Sequence, residues 1–209
     1  MHTITKKLSH IWDYYKIPLI GIPLGILFLI YVITSLITPS ATPFSVYFIN
    51  QEISPDAITP LEDQFSSLLP SVADIGGVAV HDDIMINKEA PDADSQMEFT
   101  TAIAAHTIDV MITDTLFVEQ YASMKALYDL SALLPQELFA KLTPYLIFAT
   151  DENGATVAYG IDLSSCPQLT DYHLDAPILT VAKYTEQPEL CIQFIEALFA
   201  EVSFFSLTT

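Results

Sequence analysis

A run of 21 residues without a single charge, Ile17 to Ile37, constrains this chain more than any other stretch of it. At about 1.5 Å of rise per residue such a run makes roughly 30 Å of helix, the thickness of a bilayer core. Its flanks are asymmetric. Lys6, Lys7 and Lys16 precede it with only Asp13 to oppose them, and 25 of the 26 acidic residues follow it. The lysine excess marks the preceding end as cytoplasmic. Trp12, Tyr14 and Tyr15 stand where aromatic rings favour the headgroup layer. The run therefore predicts a transmembrane helix over 17–37, a cytoplasmic N-terminus over 1–16, a linker over 38–43 and an extracytoplasmic domain over 44–209. The predicted localisation is the cell membrane, single-pass, with the C-terminal domain extracellular. A cleaved signal peptide is the competing reading. The exit, Thr38-Pro39-Ser40-Ala41-Thr42-Pro43, is a poor cleavage site and has no cysteine for a lipid anchor.

Beyond the run, four lysines (Lys88, Lys125, Lys141 and Lys183) face 25 acidic residues, a formal charge of −21, and the chain has no arginine. Nucleic acid and anionic lipid headgroups are poor partners for such a surface, because binding them relies on clustered Lys and Arg, and no nucleic-acid partner is expected. The acidity reads as solubility outside a cell, or as a surface for a cationic partner. Cys166 and Cys191 both fall in this part. An oxidising compartment permits a disulfide between them, and two small buried thiols are the alternative.

Apolar periodicity predicts alternating strands and helices. Phe44–Gln51 reads as a strand, Ile53–Pro60 as a loop, and Leu61–Leu69 as an amphipathic helix capped by Thr59. Val78–Ile86 reads as one bulged strand or two short ones, and Asn87–Gln96 as a polar loop. A helix over Met97–Thr107, a buried strand over Ile108–Ile112 and a helix over Leu116–Leu127 follow. Asn153-Gly154 between two apolar runs predicts a hairpin. Pro177–Val181 is a strand and Pro188–Val202 a closing helix. The predicted fold class is α/β, one N-terminal transmembrane helix plus a single lobe with a mostly parallel sheet and flanking helices.

The stretch Ile108 to Leu134, IDVMITDTLFVEQYASMKALYDLSALL, resembles extracellular solute-binding proteins of bacterial importers. The order continues with Tyr159-Gly160-Ile161-Asp162, then Ala176 to Lys183, then ELCIQFIEALF over Glu189–Phe199. Full members of that family have two lobes. Only about 25 residues separate Leu134 from Tyr159 here, which leaves no room for a second lobe. The resemblance implies a truncated, single-lobed, type 2 periplasmic-like member of a bacterial transport family, unable to close on a ligand by hinge motion.

The resemblance and the topology place a ligand site at the carboxyl end of the Ile108 strand. Thr113, Asp114 and Thr115 sit there, and Asn50, with Gln51, closes the first strand toward the same crevice. Asp114 or Thr115 is equally suited to cap the following helix. Asp92, Asp94 and Glu98 have oxygen-ligand spacing but lack the glycine a calcium loop needs, so they read as a solvated loop. No phosphate-cradling loop, zinc motif or nucleophile elbow occurs, so the chain reads as a non-enzyme with no cofactor and no metal. The expected function is a membrane-anchored solute-binding-like protein that binds a small solute weakly or presents it to a membrane transport partner. The alternative is a non-catalytic envelope scaffold without a ligand.

Overall fold

Every position of β1 (Phe44–Ile49) is buried, on both faces of the sheet it belongs to. Alternate residues explain this. Phe44, Val46 and Phe48 enter one apolar cluster, and Tyr47 and Ile49 enter a second on the opposite side. A strand covered on both faces reads as a continuous apolar run. The computed structural model describes residues 23, 24, 26–28, 42–86 and 93–200. The chain divides into two units, Met1–Ala41 and Thr42–Thr209.

In the first unit the described residues, Pro23, Leu24 and 26–28, are helical. Among the described residues no helix is long and apolar enough to cross a membrane. A span needs about 20 consecutive apolar residues in helical form. The longest helix described, α1 (Pro55–Leu68), has 14 residues and buries only Leu61 and Phe65. Most of 17–37 lies outside the described residues. The expected transmembrane helix and single-pass localisation are corrected accordingly.

Among the described residues the second unit holds six strands in the order β2-β1-β3-β6-β5-β4. After β1 come α1, β2 (Val78–Ile84), α2 (Ala93–Ala104), β3 (Val110–Thr113) and α3 (Thr115–Ser123). Short helices α4 (Leu130–Leu133) and α5 (Gln136–Leu142) lead to β4 (Leu146–Thr150), β5 (Thr156–Asp162), β6 (Ile178–Val181) and α6 (Pro188–Phe199). β1 runs parallel to β2 and β3, whereas the β3–β6, β5–β6 and β4–β5 pairs are antiparallel. The sheet is therefore mixed, which corrects the mostly parallel one expected. A parallel return needs a crossover, usually a helix. Asp151-Glu152-Asn153-Gly154 instead makes a tight hairpin, and a 3-10 turn over Pro167–Tyr172 joins β5 to β6.

The first cluster packs α1, α4, α5 and α6 on one face, with Phe194 against Phe44 and Phe65 at ring centroids of 5.4 and 5.0 Å. The second packs α2 and α3 on the other, where Phe99 and Phe117 meet edge to face at 5.6 Å. Several boundaries differ from expectation, most at the starts of α1 and α2. α1 starts at Pro55, with Pro60 inside it on the exposed side, so the prolines sit within a helix rather than a loop. α2 starts at Ala93, so Asp94 and Glu98 are helical. Asp92 lies outside the described residues. β2 is one strand, with the bulge in its pairing to β1 between Tyr47 and Ile49.

Candidate functional site

β1 pairs with β2 on one side and β3 on the other, so the chain reverses its direction of travel at the carboxyl ends of β1 and β3. Ligands of open α/β sheets bind at such points. The structure brings Asn50 and Asp114 together there. Asn50 takes a left-handed φ of 57°, which turns its amide across the strand ends. Its Nδ2 donates to Asp114 Oδ2 at 2.8 Å, and its Oδ1 accepts from the Ile86 N–H at 2.7 Å. Asp114 Oδ1 accepts from the Phe117 N–H at 2.7 Å, the N-cap bond of α3. Gln51 bonds the backbone N–H and C=O of Asp175, both at 3.0 Å. These groups clasp loops to strand ends. Thr115 is exposed on the first turn of α3. Thr113 is fully buried, and among the described residues its hydroxyl has no hydrogen-bond partner.

A cavity of about 320 Å³ opens at the opposite end of β3, near its amino terminus, where α2 and α3 end. Its floor is Phe99, Ile103 and Ile108, and Tyr121 forms a side wall. Phe99 and Tyr121 lie edge to face at 5.3 Å. His106 stacks on Tyr184 at 5.5 Å and 15°, forming another part of the lining. Both helices end the same way. The Thr107 N–H bonds Ala102 O, and the Ala126 N–H bonds Tyr121 O, each at 3.1 Å and each spanning six residues. This arrangement needs a left-handed residue just past the helix, most often glycine. Here those residues are His106 (φ 56°) and Lys125 (φ 58°), and both line the cavity. A cationic side chain is favourable beside helix-terminal carbonyls. Lys125 Nζ also pairs with Glu152 at 2.6 Å, a contact that holds its pKa up. Lys183 is the second lysine of the lining, with Nζ 4.5 Å above the Tyr128 ring.

Behind the same helix end lies a cavity of about 270 Å³ that contains Asp109. Asp109 is 3% exposed. Its Oδ2 accepts from the Ser45 N–H at 2.9 Å and from Gln187 Nε2 at 3.4 Å, and its Oδ1 accepts from the Thr185 hydroxyl. Burial pushes its carboxyl up, partly offset by the Thr185 and Ser45 bonds. His81 stacks on Tyr47 at 4.2 Å, and burial pushes its imidazole down. Among the described residues no three His, Cys, Asp or Glu side chains gather to hold a metal ion.

Cys166 and Cys191 are free and buried, which settles the alternative left open by the sequence. Each thiol meets a backbone carbonyl, Leu198 O at 3.7 Å and Asp109 O at 3.8 Å, and burial raises the pKa of both.

No protein-family model matches the chain. No curated protein matches it either. Among solved structures it is similar to two of a "putative oligosaccharide periplasmic-binding protein" from Synechococcus sp. MITs9220, one of them in complex with zinc. Identities are 21% and 20%, with TM-scores of 0.34 and 0.35. Each match covers 49% of this chain and 23% of that one. The chain spans about a quarter of the length of these neighbours.

Proposed function

We propose that residues 42–200 form a solute-binding-like lobe that holds a small, largely apolar solute between the ends of α2 and α3. The observation that carries this is the cavity of about 320 Å³, floored by Phe99, Ile103 and Ile108 with Tyr121 beside them. Small-molecule sites begin at roughly 300 Å³ and combine apolar walls with a few polar groups. The resemblance over Ile108–Leu134 points to the same class of function. The crevice at Thr113, Asp114, Thr115 and Asn50 is the second proposed location. Its topology favours it, while the hydrogen bonds of Asn50 and Asp114 already engage its polar groups.

The test is thermal unfolding of the full chain against sugars, amino acids, aromatic acids and amines. A ligand at about 100 times its Kd adds roughly 2.7 kcal/mol. A shift lost in Thr100→Trp, which fills the cavity mouth from an exposed position, and kept in Asp114→Ala places the solute between α2 and α3. The reverse pattern places it in the crevice. A flat panel sinks solute binding. It leaves the scaffold reading, which the exposed Leu116 on α3 and Phe148 on β4 favour.

A further inference from the structure

We infer that the solute held between α2 and α3 is a flat, uncharged aromatic molecule of two fused rings; this rests on the cavity reading above. Four rings line the cavity: Phe99, His106, Tyr121 and Tyr184. They are set in two ways. His106 and Tyr184 lie nearly parallel, 15° apart with centroids at 5.5 Å. Phe99 and Tyr121 stand edge to face, at 86° and 5.3 Å. Offset stacking and edge-to-face contact are the two arrangements a further ring prefers, so a flat π-system suits either pair. Met124 adds a thioether to the lining, which also favours contact with rings. An aliphatic solute would gain burial from the same walls but nothing from their π-surfaces.

Size and charge narrow the class. A protein cavity of about 150 Å³ takes up benzene, so one of about 320 Å³ has room for two fused rings. Among the described residues no Asp or Glu lines this cavity, so a cationic solute would find no counter-charge there. Both lysines of the lining send their ammonium groups to partners outside it. Lys125 Nζ meets Glu152 at 2.6 Å, and Lys183 Nζ lies 4.5 Å from the centroid of the Tyr128 ring. A carboxylate solute would thus meet no free cation, in a domain of four lysines and 25 acidic residues.

The test is isothermal titration calorimetry on the full chain with three probes: 2-naphthamide, its saturated counterpart decahydro-2-naphthamide, and 2-naphthoate. The saturated amide is the more apolar of the two amides, so burial alone would favour it. Ring contacts should reverse that order and give 2-naphthamide about fivefold the affinity. 2-Naphthoate should bind more weakly than 2-naphthamide. Tyr184→Leu should lose most of the aromatic preference. Phe148→Leu should keep it, since it removes a ring of like exposure (54% against 56%) from β4, outside the lining. Equal or tighter binding of the saturated amide, or a preference undiminished in Tyr184→Leu, overturns the aromatic assignment and leaves the cavity reading standing. 2-Naphthoate binding as tightly as 2-naphthamide overturns the absence of charge. Binding of none of the three overturns the aromatic class, and a flat result across the wider panel as well overturns the cavity reading.

Discussion

Replacing Asp109 separates hydrogen bonding from charge in the most deeply embedded carboxylate described in this structure. Its side chain joins the start of β1, through the Ser45 N–H, to the turn before α6, through Thr185 and Gln187. Asp109→Ala strands the Ser45 N–H, whose residue is 7% exposed, and leaves the half-buried Thr185 hydroxyl to seek water. A buried donor left unsatisfied costs about 1–3 kcal/mol, and the half-buried hydroxyl costs less. Removing the carboxylate also removes its desolvation penalty, visible as the raised pKa. The net expectation is a loss of about 2–3 kcal/mol at pH 7. Asp109→Asn keeps an acceptor for Ser45. Its NH2 group donates to Thr185 Oγ1, which already accepts from the Gln187 N–H and has a second lone pair. That variant should lose less than about 1 kcal/mol. Charge then shows in the pH dependence. A carboxyl whose pKa is raised by folding binds its proton more tightly in the native state, so its contribution is full below the ordinary carboxylate pKa and is lost as pH rises through the folded value. Asp109→Asn should flatten that falling slope. Urea unfolding followed by circular dichroism at pH 7 and at pH 4.5 measures all of this. An alanine variant within about 0.5 kcal/mol of wild type, or an asparagine variant as unstable as alanine, would refute the reasoning.

Gly160→Ala places a Cβ 2.5 Å from Ile178 Cγ2 and 3.3 Å from Ile147 Cβ, so it should cost about 1–3 kcal/mol. In urea titrations the Gly160→Ala/Ile178→Ala double variant should cost less than the sum of its singles. Asp114→Ala removes the cap of α3 and should cost about 1 kcal/mol in thermal unfolding, more if the freed Asn50 amide finds no partner. His106→Gly relieves a left-handed residue and should stabilise by about 0.5 kcal/mol in thermal unfolding, less whatever the lost stacking on Tyr184 contributes.

Much of the fold was legible because burial imposes a period. The strand β1 follows from its β-branched and aromatic residues, the hairpin from Asn153-Gly154, and Phe194, Ile195, Leu198 and Phe199 on α6 from apolar spacing. Sheet direction did not, because alternating strands and helices imply parallel pairing only when helices make the crossovers. The link from β5 to β6 is a 3-10 turn. The start of α1 was hidden by reading two prolines as breakers, although Pro55 occupies the first turn, where no N–H partner is lost. The pairing of Asn50 with Asp114 was readable from their places at two neighbouring strand ends. The cavity was not, since His106, Lys125 and Lys183 come from three separate segments. Glycine would have marked the helix ends in the sequence, and His106 and Lys125 stand in its place.

The two ends of β3 show why acidic residues are poor guides to function in this chain. Asp109 at the amino end and Asp114 at the carboxyl end both look like site residues in isolation, a charged group beside a buried strand. Each spends its oxygens on backbone and side-chain donors that fix the adjoining loops. With 25 acidic residues available, a carboxylate at any given point carries little information. Two helices end at the cavity on left-handed residues whose conformations glycine would adopt with less strain, and both positions hold side chains that line it. Local stability is conceded at that point of the surface, and the concession falls beside the aromatic lining of the cavity.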